Sequence, residues 1–537
     1  MRIRGDILRT YQSVHTWTGI VAGLVLFIGF YAGSLTVFKP EITQWATPTS
    51  EYLAPIEVEK YDALIEQVTA KHQKAADGFT LNFHQQASPL TWYESGGGRG
   101  LRLDDSLNHA TLTQQDELVT QLATPNELGN LIDLLHRTAG IIGEVGHEDL
   151  GVIILGIAAV LYFLALVSGV IFLLPTLVKN FFALRSNKGA SRFWLDSHNL
   201  VGIISLPFHL IIAWTVIVFS FHDVFYGGLG LAYGDKPLFE RQAKAEVAYS
   251  VNNLHPVDKY IKEVNQLAQG YQIKSMEFSR LNSKAPQLGV QVTNPDVMKR
   301  GQDADYIMLH PYTLKVTYSS VFSQEHNSDP YGPVVKSFFA LHFGNYGGEA
   351  GRWLYFVMGL LGAFLFYGGN LLWLEKRRQK QTTQSRSNRV MAALTVGICL
   401  GSVLALVSAL LASKWFYLMQ VQINQGYVYL YYAIFFAAII FCFIKGAALG
   451  AIRIQQLLGT ICMGIVITSV IAPLIPALGF MQHLAIGGFE IVALVFAMAF
   501  FYSAHKTAQR AYYGERNSIW ALTPNTVKDV TPQQVTI

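Results

Sequence analysis

Eight stretches of the chain contain close to 20 apolar residues with few fixed charges, the length that a helix needs to cross a lipid bilayer. We predict eight membrane-spanning helices, at about residues 16–38, 150–174, 197–221, 352–374, 390–412, 426–446, 456–478 and 483–503. Two long polar segments, 39–149 and 222–351, follow the first and third of these spans. The predicted fold class is therefore an integral membrane protein, mainly α-helical, with two periplasmic α+β modules.

The polar segments have patterns of their own. QLGVQVTN and GLRLDD alternate as strands do, whereas YDALIEQVTAKHQ and VDKYIKEVNQLAQ have helical spacing. A helix followed by short strands predicts one small α+β module in each segment. We divide the chain into six parts: a first helix (1–38), a module (39–149), two helices (150–221), a second module (222–351), a fourth helix (352–380), and a four-helix membrane extension with a tail (381–537).

Composition agrees with a membrane protein. Of the 537 residues, 51% are hydrophobic and 14% are charged, whereas a soluble domain has about 25% charged residues. The mean hydropathy is +0.30. The net charge of +4 is too small to indicate a nucleic-acid partner. The lipid bilayer is therefore the expected environment, and no nucleic acid is expected.

Positive charges are concentrated in one set of connections between spans. This set contains Arg2, Arg4, Arg9, Lys179, Arg185, Lys188, Arg192, Lys376, Arg377, Arg378, Lys380, Lys445, Arg453, Lys506 and Arg510. The opposite short connections hold little beyond Lys414. Because Lys and Arg favour the cytoplasmic side, we predict that both termini are cytoplasmic. The first span lacks a convincing small-residue cleavage site and is predicted to be a retained helix.

Flanking motifs indicate an internal duplication. SVHTWTGIVAG opens the first span and DSHNLVGIISL opens the third, and both read H-x-x-x-G, which matches His15 with His198. LLHRTAG precedes the second span and ALHFGNYGG precedes the fourth, which matches His136 with His342. Repeats with an even number of crossings are related about the membrane normal. Matching histidines should therefore lie at the same depth, the first pair near the cytoplasmic face and the second toward the outside.

A fifth histidine, His209, lies eleven residues after His198 in the third span. On a straight helix, eleven residues turn through about 1100°, about 20° more than three full turns, and rise about 16 Å. Both side chains would then project from one face, so one helix could supply an axial ligand to each of two stacked haems. The glycines of the H-x-x-x-G motifs, Gly19 and Gly202, would leave room for a flat macrocycle, although they also suit helix packing.

Haem ligation is one of several uses that a membrane histidine can have. A histidine within hydrocarbon costs free energy unless it is paired or bound, and proton relay or hydrogen bonding would also account for a single one. Zinc suits the pattern less well, because structural zinc sites gather four ligands at one point. We expect His147 and His222, at the outer ends of the second and third spans, to be interfacial, and His483, which opens the last span, to have a hydrogen-bonding or proton-relay role instead of binding haem. The cysteines, Cys399, Cys442 and Cys462, lie in predicted spans without a C-x-x-C-H motif, so any haem would be non-covalent.

Several motifs resemble the PepSY-associated transmembrane proteins. The similarity lies in the H-x-W-x-G start of the first span, SHNLVGIISLPFHLIIAWT, LHRTAGIIGEVGHEDLG and LHFGNYGGEAGRWLYFVMGLLGAFLFYGG. DYIMLHPYTLKV is similar to the closing hairpin of a PepSY domain, with His310 in the place of its aspartate and Leu314 in the place of its glycine. The resemblance covers residues 1 to about 380, and the remaining residues look like an extension found in longer members.

The resemblance implies a function, because some members of this family are inner-membrane di-haem b proteins that reduce imported ferric siderophores and release ferrous iron. Carried over to this chain, His15 and His198 would ligate the cytoplasmic-side haem. His209 would ligate the periplasmic-side haem, opposite His342 or His136. Symmetry alone would instead pair His136 with His342. We favour His209 with His342.

The expected activity is a ferric reductase in the bacterial inner membrane, with a ferric siderophore or another periplasmic ferric chelate as substrate. No flavin or NAD site is expected, because the glycine-rich YESGGGRGLRL lacks the strand–helix context of a dinucleotide fingerprint. Quinol or a cytoplasmic reductase would donate the electrons. Two alternatives are a non-enzymatic protein that binds a periplasmic partner and a proton-coupled transporter. A transporter should have carboxylates within its spans, and Glu490 is the main one.

Overall fold

The computed structural model describes residues 4–84, 87–177, 183–185, 190–234, 248–321, 332–419, 422–478 and 487–522. Of the residues discussed above, Arg2, Lys179, Lys188 and His483 lie outside these ranges. The chain forms two compact units. The first comprises Met1–Thr47, Leu128–Ser220 and Phe356–Ile537, and the second comprises Pro48–Glu127 and Phe221–Tyr355.

The helices and strands of the described ranges are numbered here in chain order. The helices are α1 (Gly5–Thr36), α2 (Lys39–Ala46), α3 (Tyr61–Lys71), α4 (Gln73–Asp77), α5 (Leu128–Thr138), α6 (Leu150–Leu173), α7 (Ala190–Ile204), α8 (Leu206–Ser220), α9 (His222–Tyr233), α10 (Val257–Leu267), α11 (Gly332–Phe343), α12 (Gly348–Gln379), α13 (Arg386–Met419), α14 (Ile423–Lys445), α15 (Ala447–Ile471) and α16 (Gly488–Tyr513). The strands are β1 (Phe79–Asn82), β2 (Leu90–Ser95), β3 (Ser106–Leu112), β4 (Leu118–Ala123), β5 (Glu144–Val145), β6 (Glu148–Asp149), β7 (Gln272–Ser279), β8 (Gln287–Thr293), β9 (Asp305–Leu309) and β10 (Val316–Ser319).

The predicted class, a mainly α-helical membrane protein, is confirmed. Within the described ranges, seven helices are long and apolar enough to cross a membrane, namely α1, α6, α12, α13, α14, α15 and α16. The remaining predicted span is the pair α7 and α8, which together pass the same test but are bent by 68°. Each of the eight predicted spans therefore corresponds to a helix or a helix pair.

The bend corrects the expected geometry of the third span. A straight helix would place His198 and His209 on one face, but α7 ends at Ile204 and α8 begins at Leu206. Pro207 provides the physical reason, because proline has no N–H to donate to the carbonyl of residue 203, and its ring clashes with that carbonyl. The prediction that the two imidazoles project from one face of a straight helix is therefore wrong.

Helices α13 and α14 pack closely through small residues in the first unit. A Cβ atom added at Gly397 of α13 would lie 2.9 Å from the Ile439 Cα atom, and one added at Gly401 would lie 2.8 Å from the Ala438 Cβ atom. These glycines are four residues apart, the spacing that lets two backbones approach within a membrane. Helix α15 packs against both α13 and α16. The C-terminal helices are thus a close-packed group.

The second unit is built on one antiparallel sheet of eight strands, in the order β10-β9-β8-β7-β1-β2-β3-β4. Each polar segment supplies four adjacent strands, and the two sets join where β1 pairs with β7, with Phe79 opposite Phe278. Helices α3 and α10 contribute Leu64 and Val264 to the hydrophobic core shared by both halves. The two expected modules therefore share one sheet and one core.

The prediction of a strand at GLRLDD is wrong. These residues lie in the connection between β2 and β3, and their backbone does not pair with a neighbouring strand. Glycines dominate this connection, and Gly96 and Gly97 have φ values of 86° and 85°, a conformation that interrupts a strand. The Asp105 carboxylate accepts a hydrogen bond from the Gly97 N–H at 3.0 Å, which stabilises a turn in place of a strand.

The hairpin with unusual residues at 310 and 314 keeps its turn. The His310 Nδ1 atom accepts hydrogen bonds from the N–H groups of Tyr312 and Thr313, both at 3.3 Å, as an aspartate carboxylate would. Burial lowers the pKa of His310, which favours the neutral ring that can accept these bonds. Leu314 has a φ of 58°, a conformation usually reserved for glycine.

A buried ion pair fixes α11 to the sheet of the second unit. The Lys336 Nζ atom lies 2.9 Å from the Asp305 Oδ2 atom, and it donates to the Ser320 carbonyl at 3.0 Å. Asp305 is 0% exposed and also accepts from the Arg300 N–H and the Ser320 hydroxyl. The carboxylate has no access to solvent, and Lys336 is the cation that pairs with it.

We therefore expect Lys336→Met to lower the free energy of unfolding by about 3–5 kcal/mol, since it leaves a buried carboxylate unpaired. Thermal denaturation of the full chain in detergent measures the loss. The matched control is Lys262→Met, which removes an ion pair to Asp258 whose side chains are 71% and 64% exposed, and should change stability by less than about 1 kcal/mol. Equal losses in the two variants would contradict the role given to the buried pair.

Candidate functional site

A cavity of about 450 Å³ lies within the first unit, between α1, α6, α7 and α12. Its volume is within the range of about 300–1,000 Å³ typical of small-molecule and cofactor sites. One end is closed by Tyr162 and Phe366, both buried. The other end, which we call the mouth, is formed by the exposed Gln12, Lys376 and Lys380.

Two of the predicted histidines meet in this cavity. His15 projects from α1 and His198 from α7, with ring centroids 6.3 Å apart and ring planes at 74°. The Nδ1 atom of His198 is buried and makes no hydrogen bond within the described part of the chain. An imidazole nitrogen that is buried without a partner is unfavourable, so this atom indicates that a ligand completes the site.

Helix α6 holds His15 by a backbone hydrogen bond. The His15 Nδ1 atom lies 2.8 Å from the Ala165 carbonyl oxygen. Donation from Nδ1 fixes the tautomer and leaves Nε2 as the nitrogen that can bind a metal, as in many metal-ligating histidines. The close approach requires Gly169, one turn further along α6, because a Cβ atom there would lie 2.8 Å from Nδ1.

His136 is held in the same way against α1. Its Nδ1 atom lies 2.8 Å from the Gly29 carbonyl oxygen. Gly33, one turn further along α1, permits the approach, because a Cβ atom there would lie 2.6 Å from Nδ1. The carbonyl and glycine pairs of α1 and α6 were not among the predicted site residues. The small residues spaced by four in GFYAG and ALVSG are the sequence signal that could have identified them.

His209 is completely buried in an aromatic environment. Neither of its ring nitrogens makes a hydrogen bond within the described ranges. Its ring centroid lies 5.6 Å from that of Phe30 and 6.0 Å from that of Tyr162. Because Tyr162 also closes the cavity and contacts Phe366 at 5.1 Å, His209 lies directly beyond this aromatic end.

The predicted glycines both line the cavity. A Cβ atom added at Gly19 or Gly202 would meet no atom within 4 Å, so each glycine faces open space. Asn370 of α12 also lines the cavity, and its Nδ2 atom is buried without a hydrogen-bond partner among the described residues. The cavity thus combines room beside the backbone with polar atoms that lack a partner.

His342 lies in the second unit, near the end of α11, with its ring centroid 5.6 Å from that of Phe343. The structure thus brings His15 and His198 together, and it sets His136 and His209 against neighbouring residues of α1, Gly29 and Phe30. Whether His136 or His342 acts opposite His209 stays a prediction.

The donor atoms of the cavity limit its chemistry. Its described lining contains two imidazoles but no thiol and no carboxylate. A bare zinc ion would therefore have two protein ligands, fewer than the three or four of ordinary zinc sites. Two imidazoles with ring centroids 6.3 Å apart could bind a metal whose remaining ligands come from a bound group.

The fold and the cavity define a multi-span helical membrane protein with paired histidines inside its helix bundle and a second, α+β unit. The chain belongs to the family described as the PepSY-associated TM region, whose sequence model matches residues 12–376. This match confirms the resemblance and includes all five candidate histidines. Comparison with curated proteins finds no match.

The helices beyond the matched residues contact the parts of the chain that carry the site. The Tyr432 hydroxyl donates to the Gly140 carbonyl at 2.9 Å, just after the helix that carries His136. The Arg510 guanidinium donates to the Glu375 carboxylate at 2.8 Å, beside the cationic mouth of the cavity. These contacts give the C-terminal helices a structural role in holding α5 and the end of α12.

The close approach at Gly169 can be tested by substitution. We expect Gly169→Ala to displace His15 from α6 and to lower stability by about 1–3 kcal/mol, the usual cost of overpacking. Gly202→Ala is the matched control, because its added methyl group enters open space and alanine favours the helix by about 1 kcal/mol. Thermal denaturation in detergent should separate the two variants, and a loss of the same size in both would refute the packing argument.

Proposed function

We propose that the protein is an inner-membrane oxidoreductase that binds two haem b groups without covalent attachment and reduces a ferric siderophore or another ferric chelate outside the membrane. His15 and His198 hold the cytoplasmic-side haem. His209 holds the periplasmic-side haem, with His342 or His136 opposite it. The observation that carries the proposal is the pair of imidazoles, His15 and His198, that line one cavity with their ring centroids 6.3 Å apart.

The separation of these imidazoles suits one metal ion between them. Each imidazole could contribute one nitrogen to a single metal ion, since metal–imidazole bonds such as those of zinc sites are about 2.0–2.1 Å long. The rings of His15 and His198 are 6.3 Å apart. Gly19 and Gly202 leave open space beside them, which suits a flat macrocycle.

The surrounding residues have defined roles in this proposal. The Ala165 carbonyl orients His15 and leaves its Nε2 atom free to bind a metal. Tyr162 and Phe366 keep water from the buried end of the cavity, beside His209. Bound haem supplies one-electron exchange between ferric and ferrous iron, with a potential that depends on its axial ligands and on burial.

The substrate follows from the chemistry of iron chelates. Siderophores bind iron through hard oxygen atoms, which favour ferric over ferrous iron. Adding one electron to the ferric chelate therefore weakens the binding of the iron by the chelator. Ferrous iron is released, and the chelator itself is unchanged. Quinol or a cytoplasmic reductase supplies the electrons, and the second unit, on the periplasmic side, binds the chelate.

The cavity does not favour the alternative of a non-enzymatic protein that only binds a periplasmic partner. In that case the buried nitrogens of His198 and His209 would remain without hydrogen bonds, at a cost in stability. A proton-coupled transporter also finds little support, because no carboxylate is among the described residues that line the cavity.

Histidine substitutions test the proposal. Purified protein should contain about two haems per chain with low-spin b-type spectra. His198→Ala should lose one haem and reduce electron transfer to a ferric chelate to the background rate. Haem extraction and reduced-minus-oxidised visible spectra measure the first effect, and a ferrous-iron assay measures the second.

The control is His222→Ala, whose histidine lies in the second unit beside Asp223 at 3.2 Å. This variant should keep both haems. Unchanged haem content in His198→Ala would contradict the assignment of His198 as a haem ligand. Protein without a Soret band, even after expression with added haem, would remove the whole proposal.

A further inference from the structure

Along the cavity, the side chains on one face of α12 change from apolar to positively charged. Phe366 lies at the closed end, Asn370 and Trp373 follow, and the cationic Lys376, Arg377 and Lys380 lie at the mouth. Residues spaced by three or four share one side of a helix, which explains how all of them reach the same cavity. The cavity is therefore apolar at one end and positively charged at the other.

No acidic residue neutralises these cations among the described residues that line the cavity. The nearest carboxylate in sequence, Glu375, is turned to another partner, because it accepts a hydrogen bond from Arg510 at 2.8 Å and another from the Ser518 hydroxyl at 3.1 Å. The guanidinium of Arg377 lies 4.5 Å from the centroid of the Trp373 ring, which holds it at the cavity wall. The three positive charges thus remain available to an anionic ligand.

A separate observation indicates that this wall meets a ligand. Asn370, on the same face of α12, is 3% exposed, and its Nδ2 atom has no hydrogen-bond partner within the described ranges. The unpartnered Nδ1 atom of His198 lies in the same cavity. Such atoms are rare in a folded chain unless a bound molecule or water completes them.

We propose that Lys376, Arg377 and Lys380 bind the propionate carboxylates of the haem held by His15 and His198. This inference rests on the proposed function. Haem b is an apolar macrocycle with two carboxylates at one edge, so it matches a cavity that is apolar inside and cationic at its mouth. Hydrogen bonds between ammonium or guanidinium groups and carboxylates are the strong, charge-assisted kind. They would fix the orientation of the macrocycle, with its carboxylates toward the mouth.

Haem and its dimethyl ester, in which both carboxylates are esterified, provide the test. Full-length protein produced under haem starvation is titrated with each compound in a neutral detergent, and the Soret band gives the two Kd values. We expect the wild-type protein to bind the ester at least about tenfold more weakly than haem. The variant Lys376→Gln/Arg377→Gln/Lys380→Gln should bind the two compounds almost equally. Lys445→Gln, an exposed cation at the end of α14 outside the cavity, should behave as the wild type does.

The possible results are distinct. Equal affinity of the wild type for haem and ester, or discrimination that survives in the triple variant, would overturn the propionate assignment while leaving the haem proposal intact. If phosphatidylglycerol removes the discrimination in the wild-type protein and in Lys445→Gln alike, the cations bind lipid phosphates instead, and the assignment is also wrong. Absence of any haem binding would overturn the proposed function and this inference together. Size-exclusion profiles confirm that each variant is folded.

Discussion

An imidazole withdrawn from solvent has two nitrogens that both require partners, and this requirement shapes the helix packing of the first unit. At His15 and His136 one nitrogen is satisfied by a backbone carbonyl of a neighbouring helix, at 2.8 Å in both cases. Helix carbonyls are normally shielded by the side chain one turn later, so each arrangement needs a glycine at that position, Gly169 or Gly33. The carbonyl also limits the tautomer, which directs the other nitrogen away from the helix. Helix packing and ligand orientation thus come from the same contact.

The bend between α7 and α8 adds a second constraint. A straight third span would have presented His198 and His209 on one face, but Pro207 breaks the helix between them. His198 lines the cavity, whereas His209 lies beyond Tyr162 and Phe366 among aromatic rings. The two histidines are consequently in different environments, although they are close in sequence.

The sequence predicted the parts of this structure that depend on local pattern. Runs of apolar residues located the spans, and the H-x-x-x-G repeat identified His15 and His198 as a pair. The sequence did not predict that β1 pairs with β7. Strands pair at their edges through backbone N–H and C=O groups, which every residue type carries, so no side-chain pattern marks the pairing. Gly169 and Gly33 were also missed, since their importance arises from a contact with another helix. Pro207 was visible in the sequence, but its effect on the relation between two histidines requires the bend angle.

Lys414 and Glu490, two charged residues near the ends of membrane-spanning helices, both contact Trp45 of α2. The Lys414 Nζ atom lies 4.3 Å from the centroid of the Trp45 ring, and the Trp45 indole N–H donates to the Glu490 carboxylate at 2.7 Å. The second carboxylate oxygen of Glu490 accepts from the Gly487 N–H at 3.0 Å. Because both oxygens are engaged in a buried contact with α2 and the start of α16, Glu490 is suited to fixing these helices together. A carboxylate that carries protons for a transporter would need access to a path, so Glu490, the main carboxylate within the predicted spans, is better explained by packing.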